Sequence, residues 1–338
     1  MSEATRQNNN VPLVTFTLFT YNQESYVEKA IEAALEQNYP NLEIIISDDC
    51  SSDLTFEIIQ NAVERYEGPH TVIIRRNQTN IGLADHINTV MNFAAGELIV
   101  AAAGDDISLP QRVTTIVAHW LSYGRESGSI FSRFHTIDET GNITSHHNSQ
   151  VMQRFTLAGR ELESTVGISI GTSGCTQAWT RDVFEIFGPI NPSILHEDIT
   201  LPLRSLLIGS VIYLPDVLVL YRISHGSLSR PSFSNYQERF KKMARYWEGR
   251  VANYEQYERD SAIISGRATL DPDDLEWLNR VVHCQADLAK LNYRFFSGNL
   301  CDQIRAIFDL SLRVSVARRL KLLILALVPP LYRLKVKA

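Results

Sequence analysis

Two hydrophobic periods alternate along the first third of the chain. Apolar, β-branched runs at LVTFTLF (13–19), LEIIISDD (42–49), HTVIIRR (70–76) and ELIVAAAGDD (97–106) read as strands. The stretch between the first two, ESYVEKAIEAALEQN, puts Tyr26, Ala30, Ile31, Ala34 and Leu35 on one helical face. DLTFEIIQNAVERY and GLADHINTVMNFAAG repeat that helical period, and Gly96 stops the second of them. Asn22, after the first strand, is placed to cap a helix, and so is Asp53. Strand and helix in strict alternation predict an α/β fold with a mostly parallel sheet and helices on both faces. Ligands bind such sheets at the carboxyl ends of the strands. Two acidic pairs, Asp48–Asp49 and Asp105–Asp106, fall at that edge.

Beyond residue 110 the alternation breaks. PQRVTTIVAHWLSY reads as a helix with Pro110 at its start, and SGSIFSRFHTID as a strand. ETGNITSHHNSQ is a polar loop. GISIGTSGCTQAWTRDVFEIFG combines a Gly/Ser/Thr loop, a strand and a short helix. HEDITLPLRSLLIGSVIYLPDVLVLYRISHGSLS reads as a strand pair among polar features. Two long amphipathic helices follow, and Asp271 and Asp273 suit the dipole at the start of the second. The last segment, VARRLKLLILALVPPLYRLKVKA, sets an apolar run, Leu322 to Val328, among basic residues. No acid follows Asp309. The run is too short to span a bilayer and is broken by Pro329 and Pro330. It reads as an interfacial anchor for an anionic membrane, against the alternative of a terminal helix packed on the domain.

Composition narrows the class. With 44% apolar and 21% charged residues, the chain has the make-up of a soluble globular protein. A net charge of −6 argues against a nucleic-acid partner. Cys50, Cys175, Cys284 and Cys301 form no CxxC pair and read as reduced thiols. The polar start, MSEATRQNNNVP, has no apolar signal core, so a cytoplasmic location is expected. No GxGxxG follows the first strand, and no GxxxxGK[ST] occurs. That argues against an ordinary dinucleotide-binding dehydrogenase and against a phosphate-loop enzyme. It also argues against a nucleotidyltransferase, which would need a Gly-rich loop at the first turn.

Adjacent acids at the end of a buried strand repel each other and call for a cation. The order VTFTLFTYNQESYVEKAIEAALEQNYPNLEIIISDDCSSD, then NIGLADHIN, GELIVAAAGDDISLPQRV, HEDITLPLR and YRISHGSLS, resembles family 2 inverting glycosyltransferases of the GT-A fold, over roughly residues 11 to 230. The resemblance implies a nucleotide-diphospho-sugar donor, Mn²⁺ or Mg²⁺, and direct displacement at the anomeric carbon. It assigns Asp106 to the metal, and Asp105 to the metal or the donor ribose. His225 would approach the metal or diphosphate, helped by Arg222 and Arg230. Asp49 would accept the N3–H of a uracil or thymine, with Thr20, Tyr21, Asn22 and Glu24 around the donor. Asp198 would be the base that takes the acceptor hydroxyl proton. Glu197 would position the acceptor or cap a helix, and Gly174 and Cys175 would floor the acceptor site. Asp105 and Asp198 have an alternative reading as helix caps. The family often carries a further acid where this chain has Ala103, and a small residue or glycine where it has Cys50. The loss at Ala103 is the best support for a second reading, a catalytically silent GT-A domain that binds nucleotide sugar or glycan as a partner subunit, and the intact Asp49, Asp106 and Asp198 argue against it.

The resemblance delimits a catalytic domain (11–232), and composition and period add a flexible start (1–10), a helical extension (233–312) and a basic, membrane-associating tail (313–338). The catalytic domain has a nucleotide-binding half (11–110) and an acceptor half (111–232). It implies a glycan or lipid-linked saccharide acceptor in cell-surface polysaccharide synthesis, at the inner face of the membrane. The C-terminal helices could pair two copies.

Overall fold

The computed structural model describes residues 11–146, 153–157, 173–224, 236–265, 270–298 and 300–309. The four predicted strands are β1 (Val14–Thr20), β2 (Leu42–Asp48), β3 (Thr71–Arg76) and β4 (Leu98–Ala103). They lie side by side in the order β3-β2-β1-β4, all parallel. Helices α1 (Val27–Leu35), α2 (Thr55–Glu64) and α3 (Leu83–Met91) connect them. Alternation within the strands sorts their side chains to two faces. Phe16, Leu18, Ile44, Ile46 and Val100 pack in one core with Ile31, Ile59, Val113 and Trp120. Ile45, Ile99 and Ala101 point the other way, onto Ile87, Val90 and Trp179.

The helices are shorter than their apolar period because polar loops hold their first residues. Asn22 does not cap α1, whose N-cap is Tyr26, with no side-chain cap bond. Asn22 instead sits at φ 50° and accepts the Ser52 N–H at 2.8 Å. Its backbone N–H donates to Ser51 Oγ at 2.8 Å, so it ties the loop after β1 to the loop after β2.

The second half makes the sheet mixed. It comprises β5 (Ile107–Ser108), α4 (Arg112–Ser122), β6 (Gly128–Ile137), β7 (Ile143–His146), β8 (Gln153–Phe155), β9 (Ala178–Thr180), α5 (Asp182–Glu185), α6 (Glu197–Ile208) and β10 (Ser210–Arg222). Strand β9 runs antiparallel between β4 and β6, and β10 runs parallel to β6. The strand pair expected over 196–229 is instead a helix followed by one 13-residue strand. Its ladder to β6 shifts register between Leu214 and Val217, where Pro215 has no N–H to offer.

Helices α7 (Tyr236–Ile264), α8 (Pro272–Ser297) and α9 (Leu300–Asp309) form the extension. Asp271 caps α8, accepting from the Asp273 N–H at 2.8 Å. The apolar faces of α7 and α8 are spent inside the chain. Tyr254, Tyr257, Leu278 and Val282 share one core with Phe131 of β6 and Leu203 and Leu206 of α6. Among the described residues no helix is long and apolar enough to cross a membrane.

Candidate active site

At the carboxyl edge of β1 and β2 the polar side chains mostly hold one another. Asp48, fully buried, accepts from Thr20 Oγ1 (3.2 Å), Ser51 N (2.9 Å) and Ser51 Oγ (2.5 Å), and faces Arg76 Nε at 3.3 Å. Asp49 accepts from Asn77 Nδ2 (2.7 Å), Ile81 N (3.0 Å) and Gly82 N (2.9 Å). Asp53 is not the N-cap of α2, which is Leu54 with no side-chain cap bond, but lies one residue earlier and takes the Thr55 N–H at 3.0 Å. Glu24 is part of the same clip. Its carboxylate accepts the Leu54 N–H at 2.9 Å while its own N–H donates to Asp53 Oδ2 at 3.1 Å. Glu24 and Asn22 thus brace this edge through one side-chain oxygen each, and both residues are exposed. Tyr21 is exposed, free to meet a flat ring. Cys50 has φ 62°, the left-handed region that favours glycine.

The second acidic pair sits one strand away. Neither acid caps α4, whose N-cap is Gln111, with no side-chain bond. Asp106 is 4% exposed. Its Oδ1 accepts the Arg222 backbone N–H at 2.8 Å, and its Oδ2 is buried with no hydrogen-bond partner among the described residues. Burial and the neighbouring Asp105 push its carboxyl well above the usual range. Burial also raises Asp105, against the pull of Arg222. One resident cation partly answers the pair. Arg112, fully buried, donates to Ala101 O (2.7 Å) and Ser108 Oγ (2.9 Å), and its charge faces Asp106 and Cys175. Burial lowers Arg112 to about 10.

Arg222 is tied to this loop. Its guanidinium is turned inward, to the carbonyls of Asp105 (2.8 Å), Asp138 (2.7 Å) and Glu139 (3.1 Å), and lies over the Tyr26 ring. It holds the acidic loop in place, with those donors spent on backbone oxygens. His225 and Arg230 lie outside the described residues, as do the tail and positions 171–172 of the Gly/Ser/Thr loop.

A short 3₁₀ turn, Gly174–Thr176, joins the acidic pair to the start of α6. On one side Cys175, itself pushed up by burial, interacts with Asp106. On the other, Gly174 lies against Glu197, where a Cβ would collide with Glu197 Oε1. The Gly174 N–H helps hold Asp198 ionised. Helix α6 has His196 as N-cap with no side-chain cap bond, so neither Glu197 nor Asp198 serves as the cap. Both stand in its first turn, where the helix dipole favours negative charge. Burial raises Asp198 to about 6 despite the pull of Arg250, and burial with the adjacent Asp198 charge raises Glu197 to about 8. The sequence-assigned residues Asp106, Cys175, Gly174, Glu197 and Asp198 therefore form one continuous patch beside the edge that carries Asp49 and Thr20.

Residues 16–184, half of the chain, match the profile of glycosyl transferase family 2. The chain belongs to that family. Among curated relatives, the putative glycosyltransferase EpsE of Bacillus subtilis (strain 168) is 36% identical over 110 residues, 32% of this chain and 39% of that protein. The putative colanic acid biosynthesis glycosyl transferase WcaA of Escherichia coli (strain K12) is 34% identical over 110 residues, 32% and 38% of the two chains. The chain thus spans under half the length of these relatives. Mannosyltransferase PcManGT from Pyrobaculum calidifontis, solved with GDP-Man and Mn²⁺, superposes with a TM-score of 0.56 at 17% identity, over 92% of this chain and 78% of that one. S. aureus TarS 1–349, solved with UDP-GlcNAc, gives 0.56 at 15% identity, over 95% and 92%. At such identities the likeness establishes the shared fold.

The family 2 match ends at residue 184, before Asp198 and the whole of α7. Sequence reasoning missed the α7 residues at this site, along with Arg112 and Asn77. Arg112 left a signal: a cation one residue from the apolar stripe Val113, Ile116, Val117, Trp120. Arg250 and Asn253 left none, because only the packing of α7 on α6 brings them here.

Proposed function

We propose that this family 2 protein is an inverting, metal-dependent glycosyltransferase that moves a sugar from a uridine or thymidine diphospho-sugar to a hydroxyl of a glycan or lipid-linked saccharide. What carries the reading is the single 3₁₀ turn that sets Cys175 against Asp106 and Gly174 against the acids of α6. The buried, partnerless Asp106 Oδ2 fits an oxygen ligand for a hard divalent cation. Among the described residues no group of three or more His, Cys, Asp or Glu could hold a metal. Such ions often take one or two protein carboxylates and complete their shell from phosphate and water. Asp106, with Asp105 beside it, would hold the ion. When bound, it supplies Lewis-acid charge to the departing diphosphate.

The protein's own residues account for the rest. Asp49, fixed by Asn77, Ile81 and Gly82, faces the base end of the donor, with Tyr21 as an exposed ring surface. Asp198 takes the proton of the acceptor hydroxyl as that oxygen attacks the anomeric carbon and the sugar–phosphate bond breaks. Glu197, neutral over much of the physiological range, donates to an acceptor oxygen. The basic, apolar composition of residues 313–338 supports a peripheral position on an anionic membrane, where a lipid-linked acceptor would be presented.

The test is nucleotide binding followed by turnover. UDP, dTDP and GDP are titrated by calorimetry with and without Mn²⁺, for the natural chain and for Asp106→Ala. Binding that strengthens with Mn²⁺, and loses that gain in Asp106→Ala, supports the assignment. An affinity unchanged by the substitution removes Asp106 as a ligand. Metal-dependent binding with no transfer to any glycan acceptor would favour the silent-domain reading suggested by Ala103.

A further inference from the structure

Helix α6 carries the candidate base on a turn that lacks two ordinary supports. Its N-cap, His196, offers no side-chain cap. Pro202, inside the helix, has no N–H for the Asp198 carbonyl four residues back. Helix α7 braces the same turn at two other points. Asn253, fully buried, donates one amide hydrogen to the His196 carbonyl at 2.8 Å and the other to Thr200 Oγ1 at 2.7 Å. These anchors lie two residues before and two residues after Asp198. The Asn253 Oδ1 is buried with no partner, a costly arrangement that packing alone would avoid with an aliphatic side chain. Gly249, one turn earlier on α7, allows the close approach, since a Cβ there would press into Leu195.

We infer that Asn253 is a positioning residue for catalysis: through its two amide hydrogens the helical extension fixes the turn that aims Asp198 at the acceptor. The inference rests on the reading of Asp198 as base. It makes α7 part of the catalytic apparatus and gives this chain a determinant outside its family match. A carboxylate displaced by an ångström forfeits much of its advantage in proton transfer, while donor binding at the far edge is untouched.

The test uses the full chain. Asn253→Asp keeps the shape and removes the donors, and Thr200→Val removes one anchor from the other side without changing volume. Gln256→Ala is the structural control. It lies on the same helix, bonded to Asn191 N (3.0 Å) and Asp260 (2.8 Å), away from Asp198. Steady-state kinetics, Mn²⁺–nucleotide affinity and Tm are measured for each. Expected are a fall in kcat of ~10- to 100-fold for Asn253→Asp and a smaller fall for Thr200→Val. The donor KM and nucleotide affinity should stay within about twofold of the natural chain. Gln256→Ala should lower Tm with kcat retained. If Asn253→Asp and Thr200→Val lower Tm as the control does and leave kcat intact, the inference is overturned. Should Asn253→Asp not fold, Thr200→Val decides alone. Full activity in Asp198→Asn would instead strike the base assignment beneath it.

Discussion

The edge at β1 and β2 and the edge at β4, α6 and α7 satisfy their buried polar atoms to different degrees. Around β1 and β2 the buried Asp48 and Asp49 have both carboxylate oxygens bonded, and the exposed Asn22 and Glu24 each accept a backbone N–H. Around β4, α6 and α7, buried atoms are left over: Asp106 Oδ2, both side-chain polar atoms of Gln177, His196 Nε2, Arg250 Nε and Asn253 Oδ1. Native interiors leave few such atoms without a reason. A finished cradle suits a donor whose base and ribose keep one shape. An edge with spare bonding capacity suits a cation, a leaving group and an acceptor that arrive and depart. The acids there are raised by burial, which is how a protein holds carboxyl groups ready for proton traffic near neutral pH.

The largest effect expected from breaking this contrast is at Asp198. Asp198→Asn should lower kcat ~10²–10⁴-fold while leaving nucleotide affinity nearly intact. On the proposed assignment Asp198 acts ionised, and burial raises it to about 6, so kcat should fall as pH drops through that value. A flat profile from pH 5 to 8 would remove Asp198 from the rate-limiting proton transfer.

A smaller effect sharpens the contrast through stability. Glu197 has an ordinary value of 4.5 and is raised to about 8 in the folded chain. Between those values folding takes up a proton, so its contribution to stability is present at low pH and lost as pH rises toward 8. Glu197→Gln should therefore raise the Tm of the ligand-free protein by ~2–4 °C at pH 8 and change it little at pH 4.5, read by scanning calorimetry. Equal shifts at both pH values would show that its charge is not the cause.

The smallest effect belongs to the edge at β1 and β2. Cys50→Gly relieves the left-handed backbone but adds chain entropy and loses the Sγ contact to the Gln78 carbonyl at 3.4 Å. The opposing effects should leave Tm within ~2 °C and nucleotide affinity unchanged.

What the sequence disclosed tracks contact range. The four parallel strands and three helices were legible because their period is local, and the acids at strand ends because adjacency is written in the chain. Asp49 was visible, whereas Asn77, Ile81 and Gly82, which fix it, lie some thirty residues on, and no periodicity links them. Arg222 read as a charge offered to a phosphate because sequence shows a cation and not the carbonyls it faces. The long β10 read as two strands since Pro215 and Asp216 resemble a turn. Helix α7 reads from its period only as an amphipathic helix, and the period does not say that Tyr254, Tyr257 and Asn253 are buried on one side of it.

Arg204 of α6 has no exposed surface and meets Asp260 of α7 at 2.8 and 3.2 Å, with the Gly188 carbonyl at 2.7 Å. A polypeptide shortened to end near residue 232 would take away that counter-ion and leave the guanidinium to the Gly188 and Pro189 carbonyls. It would also lay bare the side of α6 that α7 covers. Minimal versions of this protein, trimmed to the recognisable family region, should be recovered as aggregate, and any useful shortening has to begin beyond the second long helix.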